Sequence, residues 1–183
     1  MVKALSEQAA VTDWPLRLLL TAATAAVIVL ALVQLRRGWR NRARRQDWAG
    51  LPAVPAETVT AVGVVGKYVG TVRAGDWLDR VVAGGPMARS LVAPTATGLL
   101  LDRDGEQPLF IPGSDIAEVG TAPGMLQKVF GRHGVLTVSW NWAGHAVVSG
   151  VWFPDPHDQR TAMGWVQGFI AASDNDTSKE GKP

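Results

Sequence analysis

Positions 18–35 carry no charged side chain, and apolar residues fill all but three of these eighteen positions. The three exceptions are Thr21, Thr24 and Gln34. A helix on the surface of a soluble domain shows a polar face, and this stretch has none. At a rise of about 1.5 Å per residue it makes a helix of roughly 27 Å, against a hydrocarbon core of about 30 Å. Arg17 can lay its aliphatic stem along the apolar region and keep its charge at the headgroups. The pattern predicts a membrane-spanning helix over residues 16–36. Thr21 and Thr24 are expected to return their hydroxyls to their own helix. Trp14 and Trp39 flank the run as interfacial aromatic anchors do.

Beyond position 57 the pattern shortens. Runs at 59–72, 89–93, 98–102, 108–112, 116–121, 135–140 and 145–153 are rich in apolar and β-branched residues and bounded by turn residues. Asp104-Gly105 between two apolar runs is a hairpin signal. Leu136, Val138 and Trp140 alternate with Thr137 and Ser139, which predicts a strand with one buried face. A turn is expected at Asn141-Trp142-Ala143-Gly144. A helix then closes the domain. Asp155 is placed to cap it, Pro156 suits its first position, and Ala162, Trp165, Val166, Phe169 and Ile170 share one face. Six or seven short antiparallel strands closed by a C-terminal helix read as a mainly β sandwich or barrel.

Charge gives the span a direction. Arg36, Arg37, Arg40, Arg42, Arg44 and Arg45 follow it within ten positions, whereas the preceding side offers only Lys3 and Arg17. This bias puts the N-terminus outside and the rest in the cytoplasm, at the plasma membrane. A cleaved signal peptide would need a basic start and a shorter apolar region. The whole chain has 18 basic and 16 acidic residues, and positions 1–45 hold eight and two of them, leaving ten and fourteen and a net −4 beyond. The basic pI therefore belongs to the arm, and a nucleic-acid-binding domain is excluded on charge. The arginines form a membrane-surface cluster able to attract anionic lipid. No cysteine is present, which removes disulfides and thiolate chemistry. The resulting organisation is a tail at 1–15, the span at 16–36, a basic connector at 37–56, one domain at 57–172 and a disordered tail at 173–183.

Catalytic patterns are weak. The segment Gly63-Val64-Val65-Gly66-Lys67-Tyr68 lacks the first glycine of a phosphate-binding loop, and Tyr68 stands where Ser or Thr is needed. His133, His145 and His157 lie far apart near turns, without the paired spacing of a zinc site. Ser139, His145 and Asp155 could be named as a triad, but Ser139 sits mid-strand with no nucleophile elbow. Asp76, Asp79 and Arg80 read as solvated turn charges around a Trp77 that packs inward. Trp142, at a hairpin tip, is the aromatic expected to be exposed and to touch a partner or the bilayer. No catalytic residue, metal or cofactor is expected.

The stretch Tyr68-Val69-Gly70-Thr71-Val72-Arg73-Ala74-Gly75-Asp76-Trp77-Leu78-Asp79-Arg80-Val81, then Ala88-Arg89-Ser90, Gly98-Leu99, Ile111-Pro112, Ser139-Trp140 and Ser149-Gly150, resembles a family of small actinobacterial single-pass membrane proteins with a bacterial pleckstrin-homology (PH)-like domain. The resemblance covers the span and nearly all of residues 57–172 and implies a PH-like fold. Val151-Trp152 departs from it, since relatives carry Phe followed by Arg there. With one span and such a domain, the expected function is non-enzymatic: a membrane-anchored scaffold presenting a cytoplasmic domain to a protein partner. The alternatives are an anionic-lipid-binding module, with Lys67, Arg73 and Arg80 as the local basic candidates, and an accessory subunit of a transport or export system.

Overall fold

A computed structural model describes residues 14–45, 50–55 and 62–180. The chain divides into two units, with the break after Arg45.

The first unit is a helix, α1 (Trp14–Arg45). Within it, Trp14–Gly38 is long and apolar enough to cross a membrane, and none of its most apolar stretch is buried by protein. Leu18, Val27, Ile28, Leu30 and Leu35 are all largely exposed. The threonines behave as expected: Thr21 Oγ1 donates to the Arg17 carbonyl and Thr24 Oγ1 to that of Leu20, each at 2.8 Å. Both hydroxyls are thereby satisfied inside the helix, which is what an apolar surrounding requires. The helix does not stop at the first arginines but runs on through Arg45. Arginine is a strong helix former, and no proline or glycine interrupts the stretch after Gly38. The side chains of Trp39, Arg42, Arg44 and Arg45 lie outside the described residues.

The second unit is mainly β. Its strands are β1 (Val64–Arg73), β2 (Asp76–Arg80), β3 (Ala88–Pro94), β4 (Gly98–Arg103), β5 (Leu109–Pro112), β6 (Ile116–Ala122), β7 (Gly124–Met125), β8 (Lys128–Val129), β9 (Val135–Trp142) and β10 (His145–Trp152). Each of the seven apolar runs forms a strand, although positions 59–61 lie outside the described residues. An eight-stranded antiparallel sheet runs in the order β5-β4-β3-β1-β10-β9-β6, with β2 added to the end of β1. It does not close into a barrel: β5 and β6 are its two edges. Among the described residues the small strands β7 and β8 pair only with each other.

Helix α2 (Pro156–Glu180) covers one face of the sheet. The cap forms as its residue types dictate, with the His157 amide donating to the Asp155 carboxylate at 2.8 Å. Ala162 and Val166 are fully buried against Tyr68, Val92, Leu101, Leu136 and Val138. Trp165, Phe169 and Ile170 complete the face, partly buried. The helix extends to Glu180, through positions that composition assigns to a disordered tail. A chain of hydroxyls threads this core. Trp140 Nε1 donates to Ser149 Oγ at 2.9 Å, Ser149 meets Thr71 Oγ1 at 2.7 Å, and Thr71 meets Tyr68 Oη at 2.8 Å. Arg103 lies 4.9 Å over the Tyr68 ring and donates to the carbonyls of Gly84 and Gln107, so the last residue of β4 is buried where the chain enters the Asp104-Gly105 turn.

The opposite face carries a second, smaller core of Val69, Val72, Met125 and Val135. Here the β7–β8 hairpin folds back onto the sheet. Gly70 and Gly150 are directly paired across β1 and β10. A side chain on Gly70 would meet Leu126 at 2.5 Å, and one on Gly150 would collide with the Met125 sulfur. The glycine pair is a slot, and the hairpin's Met125 and Leu126 occupy it.

Candidate functional site

The residues singled out by sequence fall in different surroundings. Arg36, Arg37 and Arg40 are exposed near the C-terminal end of α1, where positive charge also complements the helix dipole. Arg42, Arg44 and Arg45 continue the same helix. Lys67 and Arg73 are exposed six positions apart on β1, about 20 Å along a strand. Arg73 pairs with Asp79 at 3.6 Å, and Arg80 Nη2 donates to the Val69 carbonyl at 3.1 Å. Lys67, Arg73 and Arg80 are not gathered around one headgroup-sized pocket.

Trp142 requires a correction. It is 2% exposed, stacks on Trp140 with ring centroids 5.3 Å apart, and donates Nε1–H to the Gly50 carbonyl at 3.4 Å. The turn is Ala143-Gly144, both at positive φ, so β9 reaches Trp142 and keeps it in phase with Leu136, Val138 and Trp140. A tryptophan that is exposed in this domain is Trp77.

Trp77 does not pack inward. It is 46% exposed, Leu78 beside it 59%, and Val129 on β8 86%. Asp76 sets this up. Its carboxylate accepts the amides of Leu78 at 2.9 Å and Asp79 at 3.2 Å, fixing the turn from which β2 starts. β2 pairs with β1 at its two ends, Asp76 opposite Arg73 and Arg80 opposite Val72, so 77–79 bulge out between them. Trp77 and Leu78 line one wall of a groove of about 360 Å³ whose other wall is the hairpin, from Pro123 through Leu126 and Lys128 to Val129. At the hairpin tip Leu126 and Gln127 both have positive φ, 52° and 63°. Two-residue turns of this type favour Asn and Gly, and other residues cost on the order of 1 kcal/mol each. The seating of Met125 and Leu126 in the glycine slot offsets that cost. The hairpin carries no signal in the sequence, because strands of two residues leave no periodicity.

The charged residues at and beside the groove are mixed in sign: Lys128 lines it and reaches the Met87 sulfur at 3.7 Å, while Asp76 and Asp79 flank Trp77 and Leu78 in the chain, with Arg73 paired to Asp79. The arrangement offers apolar area, a large aromatic ring and a balanced polar border. Ser139 and His145, named as a triad, are held three residue pairs apart by the β9–β10 register, about 10 Å along the strand. Among the described residues no group of three or more His, Asp or Glu side chains converges as metal ligands do.

Tyr68 is fully buried in the core. Burial pushes its phenol above the ordinary value, while the Thr71 hydrogen bond and the nearby charges of Arg103 and Arg80 act in the opposite direction. It lies on the helix-covered face and serves the core, not the groove.

No curated protein matches the chain. Residues 48–167, well over half its length and the whole sheet included, match the family profile described as Bacterial PH domain-like, and the chain belongs to that family.

Proposed function

We propose that the protein is a non-enzymatic, membrane-anchored binding module. On this reading α1 spans the cell membrane once with the N-terminus outside, and the PH-like domain works in the cytoplasm by docking a protein partner. The observation that carries the docking half is the exposed cluster of Trp77, Leu78 and Val129 at one groove. Aromatic and aliphatic groups at the centre of a patch, bordered by polar groups of both signs, match the anatomy of protein interfaces. A purely basic border would suit an anionic lipid surface better, and Asp76 and Asp79 spoil it here. The anchoring half rests on an apolar helix followed by arginines, with the positive side inward.

The test is photo-crosslinking in native membranes from residue 78 or residue 129, one position at a time, with residue 102, the exposed position of β4, as a control. A discrete protein adduct from 78 and 129, absent from 102, is expected. Phospholipid adducts alone would favour the lipid reading, which draws on Arg36, Arg37 and Arg40. An adduct with an integral membrane protein would give the module the accessory role in transport or export. Protease added to intact cells should leave residues beyond 60 uncut; digestion there reverses the topology.

A further inference from the structure

The sheet has two free edges of unequal kind. β5 is four residues long and ends in Pro112, which offers no donor. β6 is seven residues long, contains no proline or lysine, and carries one charge, Glu118. Its inner edge pairs with β9, and among the described residues its outer edge pairs with no strand. A bulge at Ala117 ends before Glu118, so 118–122 run in regular register and present their outward amides and carbonyls in an even row. Such a row is satisfied by water or by another strand. Glu118 and Thr121 are exposed, so solvent reaches the strand at these positions. α2, which packs on β6, leaves Trp165, Phe169 and Ile170 only partly buried. The strand is also continuous with the groove described above: Ala122 ends β6, and Pro123 and Gly124 line the groove.

We propose that the partner contributes an extended polypeptide segment that adds to the outer edge of β6 as a further strand and runs on into the Trp77 groove. The main chain of β6 fixes the class of occupant, because only an extended backbone supplies donors and acceptors at the strand repeat. The groove then takes one or two apolar side chains at the end of that segment. This rests on the protein-docking reading and specifies its mode.

The experiment uses the full chain in lipid nanodiscs and peptides selected against it from a random library. Amide exchange at 118–122 should slow at least about tenfold with saturating peptide. Gly120→Pro and Thr121→Pro provide the second arm. Successive amides of a strand point to opposite edges, so one variant loses a bond to β9 and the other only an outward donor. The second of these should keep its thermal midpoint and lose at least about tenfold in peptide affinity. Peptides that bind and protect the Trp77 groove while 118–122 exchange unchanged overturn strand addition and leave the docking reading standing. Absence of any selected peptide, together with absence of protein adducts from residue 78, removes both.

Discussion

The two faces of the sheet are built from the same strands and end up with opposite uses. On the α2 face, a helix lays Ala162 and Val166 into a continuous core, and even the polar atoms there, from Trp140 through Ser149 and Thr71 to Tyr68, are joined in a chain. On the other face a hairpin of four paired residues plugs a glycine slot, and Trp77, Leu78 and Val129 remain in solvent around it. The first arrangement specifies a fold. The second leaves apolar area that folding does not use. On the proposed reading, stability and recognition separate by face, and substitutions can ask whether that separation holds.

The largest effect should come from the helix-covered face. Val166→Asp places a carboxylate in a fully buried position with no basic partner supplied. The cost is more than about 4 kcal/mol, a large part of the roughly 5–15 kcal/mol that holds a domain together. Thermal unfolding of the purified chain should show the cooperative transition lost at room temperature. A folded Val166→Asp protein would mean that α2 is dispensable and that the comparison of faces is wrong.

A smaller loss is expected under the hairpin. Gly150→Ala puts a methyl group where the Met125 sulfur sits. Methionine is flexible and the hairpin has no backbone pairing to the main sheet, so the hairpin gives way and the sheet does not. A cost of about 1–3 kcal/mol follows, with faster amide exchange confined to 124–129. Exchange spreading into β1 and β10 would show that the hairpin is part of the main cooperative unit.

Tyr68 sharpens the contrast through pH. Its folded phenol titrates above the ordinary value of about 10, mainly because it is buried. The unfolded chain therefore releases this proton first as pH rises. The stability tied to the neutral phenol is complete below about pH 10 and declines from there up through the raised folded value. Tyr68→Phe removes that decline. It also costs about 1 kcal/mol at neutral pH, since Thr71 loses one partner and keeps Ser149. Denaturant titrations at neutral and alkaline pH separate the two effects. Parallel curves for both proteins would place the alkaline sensitivity elsewhere.

Much of the fold was legible in the sequence, and the site was not, for one physical reason. Seven strands and the capped helix announce themselves because burial imposes a period on the residues that are buried. Trp142 was legible in the same way. The alternation of Leu136, Val138 and Trp140, carried one step further, puts it on the core face, and the Ala143-Gly144 pair is sufficient for the turn. Trp77 and Leu78 had no such signal. Adjacent residues on a strand point to opposite sides, so a strand covered on one face exposes one of them. Both are exposed because 77–79 bulge out between the Arg73–Asp76 and Val72–Arg80 pairs, which is a fact of strand register. The hairpin was hidden because its function is to fill a gap left by two glycines 80 positions apart in sequence, Gly70 and Gly150.

The smallest effect on stability should accompany the largest effect on recognition. Val129→Asp alters a side chain that is 86% exposed, at the far wall of the groove from Trp77. A charge added in solvent, away from any buried partner, changes stability by no more than about 0.5 kcal/mol. The same charge sits where an apolar side chain of a docked segment would have to be desolvated against it, a cost of at least about 2 kcal/mol in binding. Thermal midpoint and crosslinking yield from residue 78 should therefore diverge, the first unchanged and the second reduced severalfold. If both fall together, Val129 belongs to the folding core of the outer face. If neither falls, the apolar cluster is incidental to binding, and the division of labour between the faces loses its functional half.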